Sequence, residues 1–412
     1  MTSMQVQTLK GFRDFLSLEA RKRQYIITTL KGVFERYGFE QMETPVLEYE
    51  ELLAGKYGEE GEKLMYRFED QGKRRVAMRY DQTVPLARVV AQYKNDLPTP
   101  FKRYQIQPVW RADKPQKGRY REFFQCDIDT VGVDSALADA EIIATVATAY
   151  QALGFTNSKI LINDRAVFKN LPAAAITVID KLKKIGKEGV WKELIDKNLV
   201  GSLEEAKIVL QELLDSQPTE RLVAIIEALE SFGVNTDIIE FSPTLARGLD
   251  YYTGLIFEIE TPDYPHGSLC GGGRYNNLIG MFAGEQIPAV GLAVGFDRTL
   301  EAMDALNLFP TDLAGSTTKV LVTIFGEEFK ASSIEICSRL RSNNIATEIY
   351  LGDIKAKNPL EKQLKYANQK NIPYAIIIGA DEMKTGTVML KNLQKREQKQ
   401  IKLEEAIIEL DK

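Results

Sequence analysis

Apolar residues recur at three- and four-residue steps from Leu18 to Tyr37. Ile26, Ile27, Leu30, Val33, Phe34 and Tyr37 fall on one face, which predicts an amphipathic helix. Ser17 stands where a cap would accept an orphan N–H, and Gly38 offers a left-handed stop. Phe39 to Leu47 reads as a strand; Pro45 cannot donate to a ladder, so this strand lies at an edge or a bend. A further strand is expected over Arg74 to Tyr80, then a helix opening at Val84-Pro85 with Thr83 as its cap. Lys102 to Arg111 and Arg121 to Val131 read as two strands around a Lys-, Arg-, Pro- and Gly-rich loop, Ala112 to Tyr120.

From about residue 166 to 240 the pattern changes to Leu/Ile/Lys/Glu at helical spacing, as in Val178, Ile179, Leu182 and Ile185, with no chemical motif. This predicts a helical insertion. Strand patterns return over Leu245 to Ile259 and Ala289 to Gly295. Gly315 to Thr318 reads as a linker. Beyond it a strand (Lys319 to Phe325), a helix (Phe329 to Ser342), a strand (Ile345 to Tyr350), a helix (Leu360 to Asn371) and a strand (Tyr374 to Ile378) alternate. That order belongs to a small parallel-sheet α/β domain.

Composition narrows the class. The 412 residues predict roughly two to four domains at ~150 residues each. A hydrophobic fraction of 44% with 27% charged residues excludes a disordered chain or a fibrous repeat. Cys126, Cys270 and Cys337 are far apart, which argues against zinc fingers and a disulfide framework and fits a reducing compartment. No apolar run approaches the ~20 residues of a spanning helix, and the first eight residues lack a signal-peptide pattern. A soluble cytoplasmic protein, without a membrane partner, is expected. Net charge is −5 overall, yet the residues from Thr317 onward hold 16 basic and 13 acidic side chains, a net of +3. A nucleic acid would find its local basic surface there.

Phosphate-loop and dinucleotide fingerprints are absent; Gly271-Gly272-Gly273 lacks the further glycine of the latter. His266 is the one histidine, so neither a zinc cluster nor a Ser-His-Asp triad is expected. The informative segment is Phe101 to Gly132. Alternation puts Arg103, Gln105, Gln107 and Arg111 on one face of the outgoing strand. Arg121, Gln125, Asp127 and Asp129 share a face of the returning strand. A solvated polar sheet face would look the same. Gly295-Phe296-Asp297-Arg298 closes an apolar strand and sets Arg298 at a positive helix start, suited to phosphate. Arg247 stands beside Tyr251 and Tyr252 in the run Leu245 to Gly254. Three arginines without a phosphate loop point to a triphosphate held by guanidinium clamps.

On these residues the chain resembles the histidyl-tRNA synthetases, a family of class II aminoacyl-tRNA synthetases, nearly end to end. Gly11-Phe12-Arg13-Asp14 resembles the family's opening. The helix before Pro45 is similar to its first, dimer-forming motif, Phe101 to Asp129 to its second and Gly291 to Arg298 to its third. Most specific are Arg247-Gly248-Leu249-Asp250-Tyr251-Tyr252 and Gly272-Gly273-Arg274-Tyr275. Arg79-Tyr80-Asp81-Gln82-Thr83 resembles the eukaryotic-type form of a segment that reads Arg-Pro-Glu-Gly-Thr in bacterial-type members.

The resemblance implies an α+β fold: an antiparallel-sheet class II catalytic core (1–165 and 241–315), a helical insertion (166–240) and a C-terminal α/β anticodon-binding domain (317–412). It implies a homodimer that activates L-histidine with ATP, which carries magnesium, and esterifies histidine tRNA; no protein ligand to the metal is identifiable. By resemblance Arg111 and Arg247 hold the α-phosphate and Arg298 the distal phosphates. Asp81, Thr83 and Gln125 take the α-ammonium; Asp129 and Tyr252 take the two ends of the imidazole, with Tyr251 and Tyr275 lining the pocket. Lys114, Lys117, Arg119 and Arg121 would meet the acceptor end of tRNA. The rival reading is a non-catalytic regulatory subunit of ATP phosphoribosyltransferase, which has a similar core but usually lacks the C-terminal domain and degrades the catalytic motifs.

Overall fold

The structure, a computed structural model, describes residues 6–56, 58–116, 118–168, 171–247, 252–355 and 358–411. Contacts divide the chain after Leu308 into two units.

The first unit opens with α1 (Ser17–Arg36), which buries Ile26, Leu30, Val33 and Phe34 as the periodicity requires. Gly38 ends it at φ +77°: its N–H bonds Glu35 O and the Phe39 N–H bonds Phe34 O, the double closure of a Schellman turn. The expected Ser17 cap does not form. Leu16 holds the capping position, with no side-chain bond, and Ser17 already lies inside the first turn.

The strand expected over Phe39 to Leu47 is divided between two sheets. β1 (Glu40–Gln41) edges a large sheet, and beyond Pro45 β2 (Leu47–Tyr49) enters a small one. Two short helices, α2 (Glu50–Leu53) and α3 (Gly58–Leu64), and strands β3 (Arg67–Glu69) and β4 (Arg75–Met78) complete this part, with order β2-β4-β3. In α4 (Thr83–Gln92) Gln82, not Thr83, holds the capping position, with no side-chain bond; Asp81, one residue before it, accepts the Val84 N–H at Oδ1 at 3.2 Å. Thr83 is the first helical residue, too far inside to serve.

The large sheet holds β5 (Phe101–Trp110), β6 (Glu122–Val131), β7 (Lys159–Asp164), β8 (Ile239–Phe241), β9 (Leu255–Glu260), β10 (Cys270–Arg274) and β11 (Ala289–Gly295). Its order is β1-β5-β6-β11-β10-β9-β7-β8. Pairs from β5 to β7 along that order are antiparallel, and the edge pairs β1–β5 and β7–β8 are parallel. Of the strand expected over Leu245 to Ile259, the sheet holds Leu255–Glu260; 245–247 and 252–254 lie outside its ladder, and 248–251 lie outside the described residues. α5 (Ala136–Ala152) is capped by Ser135 and is apolar almost all round. It covers the sheet, packing on β6, β11 and α1.

Between β7 and β8 lie α6 (Ala173–Ile179), α7 (Leu182–Asp196), α8 (Leu203–Leu214) and α9 (Glu220–Ser231). α6 to α8 share an apolar cluster with Ala246. α9 instead packs on α5, where Arg221 bonds the buried Asp139 at 2.8 Å. Short α10 (Gly280–Ala283) precedes β11, and α11 (Phe296–Ala305) follows it.

The second unit runs β12 (Val320–Val322), α12 (Lys330–Ser342), β13 (Thr347–Ile349), α13 (Pro359–Gln369), β14 (Tyr374–Ile377), α14 (Ala380–Thr385), β15 (Val388–Asn392), β16 (Glu397–Ile401) and α15 (Leu403–Asp411). The expected β/α alternation gives β13, β12 and β14 in parallel. A hairpin, β15–β16, then extends the sheet antiparallel from β14. It escapes a hydrophobicity reading because β16 is an exposed edge of sequence Glu-Gln-Lys-Gln-Ile.

Candidate active site

The β5–β6 hairpin sets Arg103 opposite Asp129, Gln105 opposite Asp127 and Gln107 opposite Gln125. The two polar faces read from alternation therefore coincide. They are not solvated: Arg103 and Gln105 are 0% exposed, Asp127 2% and Asp129 3%. Arg103 Nη2 pairs with Asp129 Oδ2 at 2.6 Å, and the Tyr275 hydroxyl donates to the other carboxylate oxygen. A Cβ at position 291, opposite Asp129 on β11, would stand 1.9 Å from that oxygen, so only glycine admits it. Gln105 Nε2 donates to Thr44 Oγ1 (2.9 Å) and Gln107 Oε1 (2.7 Å), and Arg79 Nη1 donates to Thr44 O (2.6 Å). Burial pushes the carboxyls of Asp127 and Asp129 above the usual range, while the Arg103 guanidinium opposes the shift.

Beside this layer opens a cavity of about 510 Å³. Arg111, Arg247, Arg298, Arg119 and Gln125 all line it. Arg111 follows β5; its Nε donates to Tyr80 O at 3.0 Å, and its guanidinium lies 4.4 Å from the Tyr80 ring centroid and 5.1 Å from that of Phe123. Arg247 Nη1 bonds Glu258 Oε1 at 2.9 Å. It passes over β10 at Gly271, where a Cβ would stand 1.6 Å from Nη1. Burial raises the Glu258 carboxyl, and Arg247 opposes that. Arg298 lies in the first turn of α11 and donates to Ser268 O. Four cations thus share one concave surface, an arrangement that fits a polyphosphate. Among the described residues no acidic, cysteine or histidine cluster could hold a metal ion.

A family model described as histidyl-tRNA synthetase matches residues 11–299, and one described as an anticodon binding domain matches 319–412. The chain belongs to the histidyl-tRNA synthetase family. The histidine–tRNA ligase of Cytophaga hutchinsonii is 40% identical over 97% of this chain and 98% of that protein. The one from Bacteroides fragilis (strain YCH46) is 41% identical over 98% of each. The crystal structure of histidyl-tRNA synthetase from Nostoc sp. PCC 7120 superposes with a TM-score of 0.85 at 29% identity, covering 99% of both chains. The large antiparallel-containing sheet is the class II catalytic fold that such synthetases share.

Within this family's fold the remaining expected residues sit at different depths. Tyr252 and Tyr275 are buried in a core cluster with Val131 and Ile256, and Asp81 is buried at the start of α4. None of these, nor Thr83 or Asp129, lines the open cavity. Gln82 Nε2 fastens the Asp81-Gln82-Thr83 turn to the hairpin through Gln107 O (2.9 Å) and Gln125 O (3.3 Å). Lys114 and Arg119 are exposed on the loop. Arg121 instead donates to Asp113 O (3.1 Å) and Lys10 O (3.4 Å), tying the loop down. Lys117 and Tyr251, with Gly248, Leu249 and Asp250, lie outside the described residues.

Sequence reasoning missed several members of the site. Phe123 alternates with Gln125 on β6, so the period that found one could have found the other. Glu258 faces Gly271 across β9–β10, a pairing that no local pattern reveals. Tyr120 stands out in the sequence only as the end of the loop, with no sign that its ring lines the cavity.

Proposed function

We propose that the chain activates L-histidine with ATP to histidyl-adenylate and transfers the histidyl group to the 3′-terminal adenosine of histidine tRNA. The observation that carries this reading is the convergence of Arg111, Arg247 and Arg298 on one cavity beside Gln125. An oxygen of the histidine carboxylate attacks the α-phosphorus; the new P–O bond forms as the bond to the pyrophosphate oxygen breaks. Arg111 and Arg247 flank the α-phosphate, and Arg298 takes the charge gathering on pyrophosphate. The carboxylate is ionised at neutral pH, so no general base is needed. Magnesium enters with ATP as part of the substrate, carried by phosphate oxygens and water.

Asp81, Thr83 and Gln125 receive the α-ammonium. Asp129 and Tyr252 grip opposite ends of the imidazole, with Tyr251 and Tyr275 closing the pocket. Asp129 already serves Arg103 and Tyr275, so the ring N–H becomes its third partner. Lys114, Lys117, Arg119 and Arg121 form the acceptor-end loop, and the unit matched to an anticodon-binding domain supports a tRNA partner. Catalytic core (1–165 and 241–315), helical insertion (166–240) and anticodon domain (317–412) are the division of labour. The working form is a cytoplasmic homodimer; no described helix is long and apolar enough to cross a membrane.

The rival regulatory-subunit reading is disfavoured by the retained arginines and the C-terminal unit. Pyrophosphate exchange with each of the twenty amino acids separates the two. Histidine alone should support exchange; folded protein inactive with all twenty would hand the case to the rival.

A further inference from the structure

The segment ahead of α1 touches two elements that line the cavity, the end of the loop at Tyr120 and the start of α11 at Asp297. The Arg121 N–H donates to Gly11 O at 2.9 Å. Gly11 has φ +90°, and a Cβ there would meet Arg121 Cγ at 2.8 Å and Pro115 Cγ at 2.9 Å, so the strap lies flat on the loop's two ends. Two residues on, the Arg13 guanidinium lies 3.2 Å from the centroid of the Tyr120 ring, and its Nη2 donates to Asp297 Oδ1 at 2.8 Å. Asp297 is buried, and it immediately precedes Arg298 in the first turn of α11. The Tyr120 hydroxyl reaches Glu301 Oε1, one turn further along that helix, at 3.3 Å.

We propose that Arg13 is a positioning residue: it latches Tyr120, at the end of the loop, to the start of α11, fixing Arg298 against the distal phosphates of ATP. This rests on the proposed adenylation. Arg23 makes the latch separable from folding. It pairs with the same Asp297 oxygen at 3.2 Å with only 9% of its side chain exposed, whereas Arg13 is 25% exposed. Losing Arg13 therefore leaves the buried acid paired and removes the guanidinium between Tyr120 and Asp297, so that the single 3.3 Å bond from the Tyr120 hydroxyl to Glu301 is left to hold the ring to α11. Flat stacking on the ring needs a planar cation, so lysine keeps the charge and weakens the ring contact without the stack.

The test uses the full chain. In histidine-dependent pyrophosphate exchange, Arg13→Ala should raise the KM for ATP about tenfold or more, the scale of a misplaced binding group, with the KM for histidine unchanged. Arg13→Lys should fall between wild type and Arg13→Ala. Trypsin should cut the loop about tenfold faster in Arg13→Ala, because cleavage follows the population of the open form. Wild-type ATP KM and wild-type loop cleavage in Arg13→Ala would overturn the proposal. So would equal losses for ATP and histidine accompanied by a lower Tm, the mark of a purely structural residue. If Arg13→Ala melts below the assay temperature, Arg13→Lys carries the same comparison. Wild-type protein without histidine-dependent exchange would overturn the adenylation reading instead, and loop cleavage would still judge the latch.

Discussion

Arg103 and Asp129 form an ion pair, 2.6 Å long, across the β5–β6 hairpin, with 0% and 4% of their side chains exposed. A buried pair of this kind adds little net stability when intact, because both charges have left water. Removing one partner is costly, since the other stays buried and uncompensated.

Asp129→Ala is therefore expected to cost about 3–5 kcal/mol of stability. If Asp129 also takes the imidazole, the surviving folded fraction should show a larger rise in KM for histidine than for ATP. Melting curves beside both Michaelis constants decide this. A stability loss with equal damage to the two substrates would confine Asp129 to holding the sheet. Tyr252→Phe removes only a hydroxyl and should be milder on both counts.

Arg247→Ala should slow adenylate formation by ~10²-fold or more, the scale for a donor aimed at developing charge. Gly271→Ala makes a sharper test. The added Cβ would collide with Arg247 Nη1, the far end of a flexible side chain that can swing away, while the Phe257 carbonyl at 3.2 Å need shift only a few tenths of an ångström; a melting curve beside the rates checks that the sheet tolerates it. Single-turnover rates should fall nearly as far as in Arg247→Ala, and the double variant should be no slower than the worse single one. Additive losses would show that the two positions act independently.

The pH dependence of stability should reveal Asp127. Burial is the leading cause of its raised carboxyl, Asp129 and Asp81 add repulsion, and Arg103 and Arg111 pull the other way. Folded protein then keeps a proton that the unfolded chain releases. Stability accordingly falls as pH rises through the window from ~3.9, the unfolded value, to the raised folded one. Asp127→Asn carries no such proton. Its Tm should exceed that of wild type at pH 8 and approach it toward pH 5, with up to about 1.4 kcal/mol gained per pH unit inside the window. A pH-independent difference would refute the shift.

A chain ending near Gly315 should lose most affinity for tRNA and keep some histidine-dependent exchange. Contacts already divide after Leu308, so the catalytic sheet loses no strand by this cut. Filter binding and exchange on the same sample provide the readout. Unchanged charging at low tRNA concentration would remove the anticodon arm from this domain's role.

Much of the scaffold was legible because its signals are local. The apolar face of α1, its glycine stop, the β5–β6 alternation and the parallel strands of the second unit depend on neighbours a few residues away. Capping was less so: Ser17 and Thr83 are the right residue types one position too far inside, and the true helix starts depend on where the preceding chain turns. The site was legible in its cations but not in its depth. Alternating Arg, Gln and Asp look alike whether they face water or a hydrogen-bonded interior. The difference here comes from Thr44, Arg79 and Tyr275, all distant in sequence. Glu258 meets Arg247 and Arg13 meets Asp297 across strands and loops, contacts that sequence order does not signal.

The helices between β7 and β8 constrain how this protein can change over generations. α6 to α8 have an apolar cluster of their own, so surface drift and changes of length there need not disturb the sheet. That freedom stops at Asp180, at the end of α6, whose Oδ1 accepts the Ala246 N–H at 3.0 Å, one residue before Arg247. A lineage that shortened or discarded these helices would leave that N–H without its acceptor and loosen the backbone that carries the arginine. The segment poorest in recognisable chemistry is thus freest to vary over α6 to α8, and is held at Asp180, where it steadies the cavity, and at Arg221 of α9, which pairs the buried Asp139.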